Sequence, residues 1–234
     1  MLVKNKKNFT YGLILTIGFF VVLFIMFMPI FGGTNAFHAA DGLFNSISKA
    51  SANQFEQVGT TVASLETMPA DQEIQLSETV GQNAALLINT TGQEATYENG
   101  TLTVRGEINP LLDQMLVDAR YMFDNNGAAL QDAYGIDPEA ALYAWWMYAS
   151  AASKEFFLDK RFDTAKALDE VRTRTVEVAY NYYGVNPTPA SERVGIILFA
   201  LVFYVVYTIW WGFAIFELFA GVGLTMTKTA KKET

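Results

Sequence analysis

A chain of 234 residues with 16 basic and 24 acidic side chains carries a formal net charge of −8, which disfavours nucleic acid as a partner. No cysteine and a single histidine are present, so a disulfide framework is excluded and a zinc, copper or haem centre built from this chain alone lacks its usual ligands. Hydrophobic residues make up 51% of the chain, and their longest runs stand at its two ends.

The first run, Phe9 to Phe31, holds no charged residue. At ~1.5 Å of rise per residue its helix spans roughly the ~30 Å hydrocarbon core of a bilayer. A cleaved signal peptide is the rival reading, because Lys4, Lys6 and Lys7 form a basic leader and the small residues Ala39 and Ala40 follow. The run is longer than the ~7–15 residues of a signal core, and Phe37 and His38 spoil the small-x-small pattern, so retention is expected.

Residues 32–67 read as a helical membrane-proximal stalk, with Phe37, Ala40, Leu43, Phe44, Ile47 and Ala50 at helical spacing beyond the Gly32-Gly33 break. Met68-Pro69 ends it. Residues 68–186 read as one exported α+β domain. Within it Glu73 to Glu78 alternates like a strand, Val80 to Leu87 has helical character, and Glu98-Asn99-Gly100-Thr101 signals a hairpin with a type I′ turn. Asn109-Pro110 reads as the cap and first turn of a helix lined by Leu111, Leu112, Met115, Leu116, Ala119, Met122 and Phe123. Asp137-Pro138-Glu139 starts another that runs toward Phe156, and a third runs from Asp163 to Tyr183 and ends at Gly184. Residues 187–194 are a proline-stiffened linker to the second apolar run.

That second run, Gly195 to Met226, exceeds the minimum span and is expected to tilt or to begin in the aqueous layer. The fold class expected is therefore an α+β membrane protein, with two transmembrane helices flanking a mainly helical exported domain that carries a small strand-helix-hairpin unit. Residues 1–8 and 227–234 are short tails bearing Lys4, Lys6, Lys7, Lys228, Lys231 and Lys232, which places both termini in the cytoplasm. Charge agrees, since residues 33–193 carry 22 acidic and 10 basic side chains, a net of −12. The localisation expected is the inner membrane, with the central domain periplasmic or extracellular.

Glu217 stands out physically. It lies within the second span, roughly 16 Å along the helix from Lys228. A carboxyl group at that depth faces a bundle interior, a partner or a water path, and the first span offers no basic side chain to pair with it. Gly212, Ala214, Ala220, Gly221 and Gly223 permit close helix approach nearby, so Glu217, Gly221 and Trp210 form a candidate intramembrane assembly or ion site.

In the exported region Tyr143, Trp145, Trp146 and Tyr182 lead a concentration of aromatic residues that reads as a pocket or interface, against the plainer reading of helical core. His38 reads as a cap, a headgroup contact or a pH sensor. Asp124-Asn-Asn-Gly imitates the start of a calcium loop, but Ala129 and Gly135 stand where glycine and glutamate are required. No phosphate loop, nucleophile elbow or nucleophile–histidine set is visible, and neither a cofactor nor an enzymatic activity is expected.

Phe44-Asn-Ser-Ile-Ser-Lys49, Tyr143-Ala-Trp-Trp146 and Ala179-Tyr-Asn-Tyr-Tyr-Gly184 together resemble a group of uncharacterised two-span envelope proteins from anaerobic bacteria. No activity attaches to that group, so the resemblance implies an envelope anchor and no catalytic residue. The function expected is a non-catalytic structural or accessory membrane subunit, with membrane lipids and either copies of itself or other subunits as partners. The alternatives are a ligand-sensing protein that acts through a separate signalling partner and a two-span oligomeric ion channel.

Overall fold

A computed structural model describes residues 3–224. The last two residues of the expected second span, the C-terminal tail and its lysines lie outside the described residues. The chain divides into two compact units, one formed by both ends and the other by Asn45–Thr188.

The terminal unit is built on α1 (Lys6–Phe27) and α10 (Val194–Val222), the two helices among the described residues that are long and apolar enough to cross a membrane. Asn5 caps α1 by accepting from the Asn8 amide at 3.3 Å, and Met28-Pro29 ends it. Gly32 and Gly33 then take φ of 67° and 87°, a left-handed pair that reverses the chain as Phe31 pairs with Thr34. α1 and α10 run antiparallel. Phe19 stacks on Tyr207 with centroids 4.1 Å apart, the Tyr207 hydroxyl donates to the Phe19 carbonyl at 3.0 Å, and Trp210 Nε1 donates to the Leu15 carbonyl at 3.0 Å. Helix α2 (Ala36–Ser51) follows α1.

The Asn45–Thr188 unit holds the three-stranded sheet. β1 (Gln72–Gln75), β2 (Glu94–Glu98) and β3 (Thr101–Arg105) lie in the order β1-β3-β2, antiparallel throughout. The expected hairpin is present: Asn99 and Gly100 adopt φ of 51° and 86°, the two positive values a type I′ turn needs. Between β1 and the hairpin, α4 (Glu78–Thr90) crosses and packs against β2 and β3. Ile74, Ala95, Leu102 and Val104 form the buried side of the sheet.

The helical layer consists of α3 (Phe55–Ala63), α5 (Ile108–Phe123), α6 (Gly127–Tyr134), α7 (Pro138–Leu158), α8 (Phe162–Val171) and α9 (Glu177–Asn181). α7 is its centre. Asp137 caps it by accepting from the Ala140 amide at 3.0 Å, and Ala141, Ala144, Ala149 and Ala152 are small enough to admit neighbours on several sides.

Local structure differs from the sequence reading at four places. Glu107, extended at φ −114° and ψ 145°, precedes α5, and Pro110 sits inside the first turn, where amides have no helical partner to lose. Asn109 instead donates from its side chain to the Leu65 carbonyl at 3.1 Å. The stalk reading covers two helices, α2 and α3, and α3 contributes Phe55, Val58 and Val62 to the core of the Asn45–Thr188 unit. α6 had no counterpart in the sequence reading. The single helix expected over Asp163 to Tyr183 is α8 and α9 joined by a π-helical turn, Arg172–Val176, in which the Glu177 amide donates to the Arg172 carbonyl.

Candidate functional site

Of the residues expected at an intramembrane site, Gly221 and Trp210 both face α1 of their own chain. The Gly221 carbonyl accepts from the backbone amides of Lys4 and Asn5, both at 2.9 Å, and a Cβ on Gly221 would stand 2.6 Å from Phe9 Cα. Trp210 lies over Gly18, where a Cβ would stand 2.9 Å from the indole ring. A Cβ on Gly12 would likewise meet the Leu218 backbone nitrogen at 2.7 Å. The small residues thus serve the α1–α10 contact. Glu217 is half-buried on the same helix and makes no hydrogen bond or ion pair among the described residues.

The four aromatic residues expected at a pocket separate into three environments. Trp145 is fully buried and donates from Nε1 to Asp118 Oδ2 at 2.7 Å. Tyr182 is half-buried at the end of α9, and its backbone carbonyl accepts from Lys49 Nζ at 3.0 Å. Tyr143 and Trp146 alone come together on a surface cleft of about 230 Å³, which they line with Glu177, Tyr180 and Asn181. Their rings are parallel to within 7° with centroids 6.4 Å apart.

The π turn organises this cleft. Residues five apart on a regular α-helix project about 140° away from each other, because each residue turns the chain by roughly 100°. Arg172 and Glu177 are five apart, yet both reach Trp146, since the wider π turn brings positions i and i+5 onto one face. Trp146 Nε1 donates to Glu177 Oε2 at 3.0 Å, and the Arg172 guanidinium stands 5.2 Å from the indole centroid. Asp169 pairs with that guanidinium at 3.0 Å, with Glu177 at 3.9 Å.

Two buried polar centres were not found in the sequence. Asp118 accepts from Trp145, from the Tyr134 hydroxyl at 2.8 Å and from Gln114 Nε2 at 2.9 Å. Burial raises its pKa above the usual carboxylate range, and the three donors only partly offset that rise. Burial, and after it the Asp118 carboxylate, push the pKa of the Tyr134 hydroxyl upward. A signal did exist, because Asp118 falls on the apolar stripe of α5 between Met115 and Met122. Lys49 is the second centre. It is fully buried, and desolvation lowers its pKa against the opposing pull of Asp124.

His38 is exposed, and its backbone amide donates to Asn35 Oδ1 at 2.9 Å. The Asp124-Asn125-Asn126-Gly127 turn serves Lys49: Asn125 Oδ1 accepts from its ammonium at 2.9 Å. No cluster of three or more potential metal ligands occurs among the described residues.

Searches against protein-family models, curated proteins and solved structures find no match to this chain. The class defined by fold and site is therefore stated from the molecule itself: among the described residues, a mostly helical α+β protein with a small three-stranded sheet, two helices long and apolar enough to span a membrane, and an aromatic cleft on its central unit.

Proposed function

We propose that this chain is a two-span protein of the cytoplasmic membrane that displays its central unit on the outer side as a non-catalytic accessory subunit of a larger membrane assembly. The observation that carries this reading is the contact between α1 and α10. Gly12, Gly18 and Gly221 are used within the chain, and the Phe19–Tyr207–Trp211 ring cluster closes the same seam. Such a pair forms a self-sufficient anchor, and its outer surface of Phe199, Tyr204 and Phe213 suits lipid or neighbouring spans. Lys4, Lys6 and Lys7 at the start of the chain and the lysines beyond Met226 support cytoplasmic termini.

On the central unit, Phe157, Leu158 and Phe162 are each more than half exposed at the α7–α8 corner. An apolar cluster on an otherwise acidic domain supports contact with another subunit. The test is a photo-crosslinking residue at Phe162 in the full chain, followed by purification in mild detergent. A discrete second polypeptide crosslinked at that position upholds the accessory reading. Recovery of the uncrosslinked chain as a monomer, or as a closed ring of identical copies, overturns it.

A second reading, ligand binding without catalysis, is favoured by the Tyr143–Trp146 cleft. Its chemistry is specific enough to name a ligand class.

A further inference from the structure

The geometry points to the cleft of Tyr143, Trp146, Tyr180, Glu177 and Asn181 as a binding site for an organic ammonium group, quaternary or primary. The site lies wholly within the Asn45–Thr188 unit and does not depend on the membrane reading.

Three observations converge on that chemistry. First, the lining is three aromatic rings, one carboxylate and one carboxamide, the composition of an aromatic cage for an alkylated cation. Tyr143 and Tyr180 are 44% and 42% exposed, so both rings are open to a ligand without rearrangement of the core. Second, the chain already places a cation on this aromatic surface, since Arg172 stands over Trp146. Donation of the indole N–H to the Glu177 carboxylate pushes electron density toward the ring, which strengthens its attraction for positive charge. Third, the electrostatics favour a cation. Arg172 is matched by two carboxylates, Asp169 and Glu177, leaving one negative charge over at the cleft. The whole Asn45–Thr188 unit carries 20 acidic and 9 basic side chains, a net of −11.

Glu177 is the positioning centre. One of its oxygens is committed to Trp146, and Oε1 accepts no hydrogen bond among the described residues. The π turn is what sets Glu177 and Arg172 together against the same ring, and insertions of this kind recur where a helix serves a site. A neutral saccharide needs several hydrogen-bonding groups around the edge of its ring, and this cleft is mainly aromatic face.

An ammonium group of this kind comes either from a free amine or from a choline or ethanolamine lipid headgroup. Full-length chain in nanodiscs of phosphatidylglycerol alone, which carry no ammonium, is titrated with choline by calorimetry. Saturable binding is expected. Tyr180→Ala and Glu177→Gln should each weaken it on the order of tenfold, and Tyr180→Phe, which keeps the ring, should restore most of the affinity. Tyr121→Ala, in a separate cleft with Phe55 and Leu116, should leave the titration unchanged. An unaltered near-ultraviolet circular dichroism spectrum shows that the variants fold.

Repetition in nanodiscs containing phosphatidylcholine separates the sources. Loss of free-choline binding there assigns the site to a headgroup, and retained binding assigns it to a soluble amine; both uphold the ammonium site. Absence of saturable choline binding, binding indifferent to Tyr180→Ala, or tighter binding of a neutral chitooligosaccharide overturns it.

Discussion

Lys49 Nζ donates to the Val185 carbonyl at 2.7 Å, joining the first helix segment of the central unit to its last residues through a fully buried ammonium. The other two protons go to Asn125 Oδ1 at 2.9 Å and the Tyr182 carbonyl at 3.0 Å, so all three donors are satisfied. Phe123 lies beneath the ammonium at 4.9 Å from its centroid. Asn125, held at φ 61°, also accepts from the Gly184 amide and donates to Val185. Three residues earlier, Ser46 Oγ donates to the Asn186 carbonyl at 2.6 Å, and the Thr188 amide donates to the Ser46 carbonyl at 3.1 Å. Both ends of the unit are thereby closed on one another.

Lys49→Met keeps the aliphatic stem and removes the ammonium, leaving Asn125, Tyr182 and Val185 without their buried donor. The expected loss is about 2–4 kcal/mol, the range for stripping one partner from a buried charged network. Lys49→Arg should not rescue it, because a planar guanidinium cannot point three donors at these acceptors. Thermal melts of the full chain in detergent, followed by near-ultraviolet circular dichroism, measure both. A midpoint for Lys49→Met equal to that of the native chain would show that the clamp contributes nothing.

Asp118 gives a pH dependence with a defined sign. Its folded-state pKa is raised by burial, so between the ordinary carboxylate range and that raised value the folded chain binds more protons than the unfolded one. Stability from this group is therefore present at low pH and is lost as pH rises through the folded pKa. Asp118→Asn should flatten that limb, whereas Asp118→Ala leaves the Trp145 Nε1 donor unsatisfied and should cost about 1–3 kcal/mol at every pH. Melting midpoints from pH 4 to 8, on the order of the carboxylate-to-neutral range, separate the three chains. A native profile parallel to that of Asp118→Asn would remove Asp118 as the cause.

What the sequence disclosed was local. The Asn99-Gly100 turn and the Asp137-Pro138 cap are legible because the chemistry that produces them lies within four residues. Lys49 and its acceptors are 76, 133 and 136 positions apart, so no local pattern joins them. Asp118 did interrupt an apolar stripe, but Trp145 and Tyr134 reach it from other helices. α6 is too short for its period to register after the Asn125-Asn126 turn signal. The π turn left no mark because Arg-Thr-Arg-Thr-Val fits an ordinary helix, and the helices it packs against, α3, α5 and α7, are distant in sequence. For the same reason Tyr143 and Trp146 could not be told from Trp145: the three lie within one turn of α7, and only the neighbouring helices decide which ring is buried.

Topology is tested with single cysteines, which this chain admits cleanly because it has none of its own. Ala128 is exposed on the central unit, and Thr229 lies among the C-terminal lysines outside the described residues. In cells with a permeabilised outer membrane, an impermeant maleimide should label Ala128→Cys and spare Thr229→Cys. Labelling of Thr229→Cys with protection of Ala128→Cys would reverse the proposed orientation.

The seam between α1 and α10 yields the sharpest mutational contrast. Gly221 and Gly212 are both glycines of α10, but their surroundings are opposite. A side chain at Gly221 meets the Phe9 backbone nitrogen at 2.7 Å, which no rotamer change relieves, whereas Gly212 has nothing within 4 Å. Gly221→Leu should therefore force the helices apart and break the bonds from the Lys4 and Asn5 amides, while Gly212→Leu should be tolerated. Introduced cysteines at Phe19 and Tyr207, whose rings stack in the native chain, report the separation through crosslinking with a short bifunctional reagent in membranes. Crosslinking should survive Gly212→Leu and fall several-fold in Gly221→Leu, on the reasoning that an overpacked seam costs about 1–3 kcal/mol. Glu217→Gln completes the set. The amide keeps the shape and hydrogen-bonding capacity of the carboxyl group, so the helix pair and any assembly should persist. Ion conduction, if Glu217 served it, would need the titratable group itself. Retained crosslinking together with lost proton- or cation-dependent flux in Glu217→Gln would replace the accessory reading with a conducting one.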